Sequence, residues 1–202
     1  MITKTYVSAS ILLLLLAGAP SEAAEDAADQ GRLLAYTCMG CHGIEGYRNA
    51  YPSYRVPKLG GQKSAYIVSA LNAYKNGDRP HPTMQAQGGS LTDKDIERLA
   101  SWFETQAVAS DQADAEDVAG LASAALCVTC HGVAGTGVAP QPPVLSGQEE
   151  SYLVHALNQY KDGKRPGNVM AAFAANLSDA DIATISAFYA SQDGLVTPDK
   201  DL

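Results

Sequence analysis

Two cysteines and a histidine recur twice in this chain with the same tight spacing, as Cys38-Met39-Gly40-Cys41-His42-Gly43 and as Cys127-Val128-Thr129-Cys130-His131-Gly132. These segments use all four cysteines of the protein. C-x-x-C-H is the attachment signature of c-type haem. The two thiols add to the two vinyl groups on one edge of the porphyrin. The next residue then reaches inward, so that its imidazole binds the iron from one side. One match in 202 residues is weak; two at equivalent places of a repeat are strong. Zinc would want the second C-x-x-C after ~15–20 residues, and here Cys41 and Cys127 lie in separate repeats. A redox-active disulfide has no use for the following histidine, and no thioredoxin-like βαβ pattern is present.

A second axial ligand follows from elimination. Of the four methionines, Met1 is the initiator and Met39 lies inside the first C-x-x-C, where it cannot cross the porphyrin. Met84 and Met170 remain, at matching places of the repeat. A methionine often only fills a core, but the pairing favours axial ligation. The expected ligand sets are His42 with Met84 and His131 with Met170. His81 and His155 have no counterparts, since Gly167 stands opposite His81 and Ser69 opposite His155. His81 is three residues from Met84 and stays open as an alternative ligand of the first iron.

The repeat extends well past the motifs. Pro57-Lys58-Leu59-Gly60-Gly61-Gln62 matches Pro143-Val144-Leu145-Ser146-Gly147-Gln148, and Trp102-Phe103 matches Phe188-Tyr189. A haem-ligating histidine commonly donates its other ring N–H to a backbone carbonyl, and the carbonyls around Pro57 and Pro143 are candidates. Arg55, Lys58, Arg79 and Arg165 are candidates to offset haem propionates, and only Arg79 and Arg165 pair in the repeat. The first half also holds an extra aromatic and basic loop at 47–55, suited to docking a partner or to covering a haem edge.

The elements that must hold these groups are helical. Short helices are expected at 27–36 and 117–126, before each cysteine pair. Longer ones are expected over 64–76 and 151–162, closed by Gly77 and Gly163 and followed by Pro80 and Pro166. Thr92-x-x-Asp95 and Ser178-x-x-Asp181 resemble capping boxes with Asp in place of Glu. Behind them, Ile96, Leu99, Ala100 and Phe103, and then Ile182, Ile185, Ser186 and Tyr189, keep the spacing of one helix face. No strand pattern is evident. Each half is small for a purely apolar core, so a covalent haem serves as both cross-link and filling.

Residues 1–24 read as a signal peptide: Lys4, an apolar run at 11–17, then Ser21-Glu22-Ala23 as a cleavage site. The apolar run is far short of the ~20 residues that span a bilayer. The net charge is −8. That acidity argues against nucleic acid and suits positively charged docking partners.

Together these residues resemble the dihaem cytochrome c4 family, over nearly the whole mature chain. The resemblance implies an all-α fold of two tandem class I cytochrome c domains, at 25–107 and 115–202, joined by a linker at 108–114. It implies two covalently bound haem c groups, held through Cys38, Cys41, His42 and Met84 and through Cys127, Cys130, His131 and Met170. The function it implies is a periplasmic carrier of single electrons, not an enzyme. Its partners would be a membrane oxidase, a quinol–cytochrome c reductase or a periplasmic dehydrogenase, with membrane association only through such partners. Related dihaem proteins serve as electron-accepting subunits of sulfur-oxidising dehydrogenases, which is the alternative. A dihaem peroxidase or gas sensor is a third class and requires an open iron position.

Overall fold

The computed structural model describes residues 22–106, 124–138, 142–166 and 169–199. Most of the signal-like segment and the whole expected linker lie outside them. Among the described residues the protein is helical, and extended backbone pairs only at two isolated bridges, Arg48 with Arg55 and Gly60 with Val196. The first half holds α1 (Glu22–His42), α2 (Ser64–Asn76), α3 (Pro82–Ser90) and α4 (Asp93–Thr105). The second holds α5 (Ala125–His131), α6 (Glu150–Lys161), α7 (Val169–Ala174) and α8 (Asp179–Ser191).

Two features differ from expectation. The helix expected at 27–36 does not stop short of its cysteines, since α1 runs on through His42; α5 likewise carries Cys127, Cys130 and His131, while most of the helix expected at 117–126 lies outside the described residues. Nothing between Tyr36 and His42 breaks a helix, since Gly40 alone costs only about 1 kcal/mol. The continuation matters, because positions i, i+3 and i+4 share one helix face. Cys38, Cys41 and His42 therefore point the same way, as do Cys127, Cys130 and His131. The second difference is that α3 and α7, which carry Met84 and Met170, are helices of their own.

Helices α4 and α8 form as their caps dictate. Thr92 Oγ1 accepts the Asp95 N–H at 3.2 Å, and the Thr92 N–H donates to Asp95 Oδ2 at 3.1 Å. Ser178 and Asp181 repeat the exchange at 3.1 and 3.0 Å. Gly77 closes α2 at φ 83°, a left-handed geometry that costs glycine nothing.

Helix α4 packs on α1 and α2, and α2 also packs on α3. The α1–α4 crossing is close because Gly31 lies in it; a Cβ there would sit 2.6 Å from the Arg98 carbonyl oxygen. The apolar core gathers Met39, Ile67, Leu99, Trp102 and Phe103. Met39 is thus a core residue, in keeping with its exclusion as a ligand. In the second half α6 packs on α7 and α8, around Leu153, Ala156, Ile185 and Tyr189.

The halves also exchange segments. The 47–55 loop is a hairpin in which Asn49 N–H donates to the Tyr54 carbonyl and Val56 N–H to the Tyr47 carbonyl. Its tip, Tyr51, is fully exposed. Its far arm lies on the second half. Tyr54 is buried in that half's core and stacks on His155 with ring centroids 4.1 Å apart. Arg55 pairs with Glu149 at 3.2 Å, and its N–H donates to Ser151 Oγ at 2.9 Å. In return Val196, from the C-terminal segment, exchanges both backbone hydrogen bonds with Gly60, at 3.0 Å each.

Candidate functional site

Each haem-type motif ends a helix with a histidine whose outer nitrogen is already engaged. His42 Nδ1 donates to the Pro57 carbonyl at 2.8 Å, and His131 Nδ1 donates to the Pro143 carbonyl at 3.0 Å. A carbonyl can only accept, so Nδ1 carries the proton in both rings, and Nε2 keeps its lone pair. Burial pushes the pKa of each ring below the ordinary histidine value, against the opposing pull of its proline carbonyl. Burial thus favours the neutral form of both rings, the form that metal ligation requires. The expectation placed on the proline carbonyls holds at both sites.

Met84 and Met170 are half-buried, each in the first turn of its short helix. His81 has a different use from the ligand role left open for it. It is the N-cap of α3, and its Nδ1 accepts the Met84 N–H at 3.2 Å. That contact fixes the backbone that carries Met84.

Between the halves lies a buried cluster of aromatic and guanidinium groups. Arg79 lies over the Tyr74 ring at 4.5 Å, and Arg165 lies over the Tyr160 ring at 5.1 Å. Arg79 donates to the Tyr152 hydroxyl, and Arg165 Nε donates to Gln159 Oε1 at 2.7 Å. Burial works to raise the Tyr152 hydroxyl, but Arg79 and Arg165, with hydrogen bonds from Tyr66 and Arg79, outweigh it and bring it down to about 8. Tyr66, which matches Tyr152 in the repeat, is pushed up by its burial.

Both guanidinium groups are buried, at 7% and 6% exposure. Among the described residues neither pairs with a carboxylate, and Arg79 Nε has no partner at all. Buried cations demand a counter-charge, and haem brings two carboxylates. The cysteines fit the group as well: none of the four is in a disulfide, and each pair shares a helix face with a neutral histidine. The residues present thus fit two haems.

The comparisons with known proteins agree with this geometry. The cytochrome c family model matches 115–193, and the model described as cytochrome c oxidase, cbb3-type, subunit III matches 25–103. The chain is 46% identical to cytochrome c4 of Pseudomonas aeruginosa over 194 residues, which covers 89% of this chain and 94% of that one. It belongs to the dihaem cytochrome c4 family. Two covalently bound haem c groups, and a role as an electron carrier, come with that membership. The solved cytochrome c4 of Acidithiobacillus ferrooxidans superposes with a TM-score of 0.63 at 28% identity, over 78% of this chain and 99% of that one. A thiosulfate dehydrogenase electron acceptor of Stutzerimonas stutzeri is 28% identical over 173 residues, 78% of this chain and 79% of that one.

Sequence reasoning did not foresee the helix cap by His81 or the use of Tyr54, Tyr66 and Tyr152 between the halves. Tyr66 and Tyr152 had one available signal, since they are equivalent in the repeat and lie on helices of matching length.

Proposed function

We propose that this cytochrome c4 relative is a freestanding, exported one-electron carrier in which both irons are closed to external ligands. His42 and Met84 hold the first iron, and His131 and Met170 the second. Cys38 and Cys41, and Cys127 and Cys130, form the thioether links. The haems supply the reversible Fe(III)/Fe(II) couple. The chain's own residues do the rest. The proline carbonyls hold each histidine in the tautomer that leaves Nε2 for the metal, and make it a stronger donor. Met84 and Met170 would be the second protein ligands of the two irons, and would raise the potential relative to nitrogen ligation. Arg79 and Arg165 supply the counter-charge for propionates in a space from which water is excluded.

The observation that carries this reading is the matched histidine–proline bond on two C-x-x-C-H helices, one in each half. With two protein ligands on each iron, neither haem would offer a site for substrate, which is the chemistry of a carrier. Export to the periplasm is supported by the signal-like 1–24 segment, and no helix among the described residues is long and apolar enough to cross a membrane. We place the domains at 25–107 and 115–202, a division supported by the family matches at 25–103 and 115–193.

The test is spectroscopic. The oxidised protein should show a Met–Fe(III) charge-transfer band with the intensity of two haems, and the reduced protein should leave carbon monoxide unbound. Carbon monoxide binding by one haem of the native protein would move the reading to a dihaem enzyme or sensor. A second reading, a fixed subunit of a dehydrogenase, is favoured by the thiosulfate dehydrogenase electron acceptor among the relatives. Co-purification from the host at fixed stoichiometry would establish it over the freestanding carrier.

A further inference from the structure

Gln62 and Gln148 occupy the same place in the repeat, and both are buried, at 3% and 4% exposure. Each reaches into the other half. Gln148 Oε1 accepts the Lys58 N–H at 2.8 Å, and its Nε2 donates to the Lys58 carbonyl at 3.1 Å. Gln62 Oε1 accepts the Val144 N–H at 2.9 Å, and its Nε2 donates to the Val144 carbonyl at 3.0 Å. Lys58 and Val144 are themselves equivalent in the repeat, so the two contacts form one reciprocal clasp. Both side-chain amides are unambiguous in orientation, since each oxygen also accepts the N–H of the next residue, Lys63 at 3.0 Å or Glu149 at 2.9 Å.

The peptide groups held by the clasp are those that serve the haem ligands. The Lys58 N–H and the Pro57 carbonyl belong to one planar peptide unit. That carbonyl accepts from His42 Nδ1. The Val144 N–H and the Pro143 carbonyl likewise form one unit, and its carbonyl accepts from His131 Nδ1. A hydrogen-bonded chain therefore runs from Gln148 in the second half, through the 57–58 peptide, to the ligand of the first iron. Its mirror image runs from Gln62 to the ligand of the second.

Hydrogen bonds in such a chain polarise one another. A peptide whose N–H is engaged has a more basic carbonyl, and a more basic carbonyl draws the Nδ1 proton and makes the imidazole a better donor to iron. Better donation favours Fe(III). We propose that Gln62 and Gln148 are crossed positioning residues, each setting the potential of the haem held by the opposite half. This rests on the histidine ligation given above. It implies a reciprocal effect, since coupling free energies act in both directions. If the clasp favours Fe(III), oxidation tightens the clasp.

The experiment is a redox titration of the full holoprotein with Gln148→Leu and with Gln62→Leu. Haem resonances, assigned to each half through the cysteines of its own motif, Cys38 and Cys41 or Cys127 and Cys130, report each haem separately. Gln148→Leu should raise the potential of the first-half haem by at least about twice what it does to the second, and Gln62→Leu should do the reverse. A larger shift at the variant's own haem, equal shifts at both, or no shift would overturn the proposal.

The wild-type protein gives an independent check that does not depend on either variant folding. The Lys58 and Val144 amides should exchange with solvent about fivefold faster in the reduced than in the oxidised protein, at the low end of typical coupling energies. The control amides Gly61 and Gly147, which donate to the Phe103 and Tyr189 carbonyls within their own halves, should change less. Equal ratios for clasp and control amides would overturn the proposal. Failure of the ligation reading would show separately, as a missing Met–Fe(III) band in the wild-type protein.

Discussion

The two halves of the molecule agree closely in the contacts each makes within itself and in the reciprocal glutamine clasp, and differ in the straps that cross from one to the other. Lys75 pairs with Asp93 at 3.0 Å, and Lys161 pairs with Asp179 at 3.2 Å in the same place. The Gly61 N–H donates to the Phe103 carbonyl at 2.9 Å, and the Gly147 N–H donates to the Tyr189 carbonyl at 3.0 Å. The histidine–proline bonds and the helix caps repeat as closely. By contrast, the hairpin that spans to the partner half exists only in the first, and the segment that returns, at Val196, belongs only to the second. A duplicated fold can thus keep its histidine–carbonyl pairs and helix ends alike while the straps and the guanidinium cluster between the halves diverge. Under the proposed His/Met ligation of both irons, differences in potential between the haems would have their source in the surroundings of each site and not in its ligands.

The largest break in this comparison is removal of a methionine proposed as an iron ligand. Met84→Ala should lower the potential of the first haem by a few tenths of the ~0.8 V span over which axial ligands act, and open that iron to carbon monoxide. Met170→Ala should do the same to the second haem alone. Each variant should lose half of the charge-transfer band, as read by absorption and redox titration. Loss of the whole band from either single variant would mean that the sites are not independent.

The next break is at the strap. Tyr54 comes from the first half but is buried in the core of the second, at 6% exposure. Tyr54→Ala should cost about 3 kcal/mol, the low end for an aromatic truncated in a core. The loss should fall on the second half, although the residue belongs to the first. Calorimetry of the variant should show the second half unfolding at lower temperature and separating from the first. A single transition, shifted as a whole, would mean that the halves fold only as one unit.

How much of this was legible in the sequence depends on the range of the interaction. The α4 and α8 caps and their apolar faces were readable because they are local, set by residues three and four apart. The haem motifs were readable because attachment chemistry fixes their spacing. The proline carbonyls could be proposed because the repeat paired Pro57 with Pro143. The clasp of Gln62 on Val144 and the burial of Tyr54 were not readable, because they join residues far apart along the chain. Helices α3 and α7 were missed for another reason. Gly88 and Gly89 in the first, and the brevity of the second, suppress the periodicity that marks a helix. What starts α3 is Pro82 at its first position and a histidine cap, which is weaker as a sequence signal than Ser, Thr or Asp.

A smaller contrast sharpens the comparison of the cores. Phe103 and Tyr189 fill equivalent positions, at 2% and 0% exposure. The second carries a hydroxyl that is buried without a hydrogen-bond partner, and burial pushes its pKa up. Desolvating a hydroxyl with no compensating bond costs about 1–3 kcal/mol. Tyr189→Phe should therefore stabilise the second half by about 1.5 kcal/mol, seen as a rise in its denaturant midpoint. The reverse exchange, Phe103→Tyr, should destabilise the first half by a similar amount. A stability loss in Tyr189→Phe would show that the hydroxyl has found a partner in the haem-loaded protein.

The smallest expected effect is the most symmetric. Thr92 and Ser178 each accept an N–H from the third residue of the following helix, and each lies on the surface away from the interface. Replacing either by Ala removes a single side-chain acceptor and leaves one helix-end N–H to water, which typically costs about 1 kcal/mol. The loss should be equal in the two halves, because the cap geometry is the same to within 0.1 Å. If Thr92→Ala cost clearly more than Ser178→Ala, helix α4 would depend on its own start while α8 did not. That would place the greater share of tertiary support in the second half, where the strap from the first adds Tyr54 to the core. Chemical denaturation of the two single variants and of the double variant decides between these cases, and additivity in the double variant is the expected result for sites so far apart.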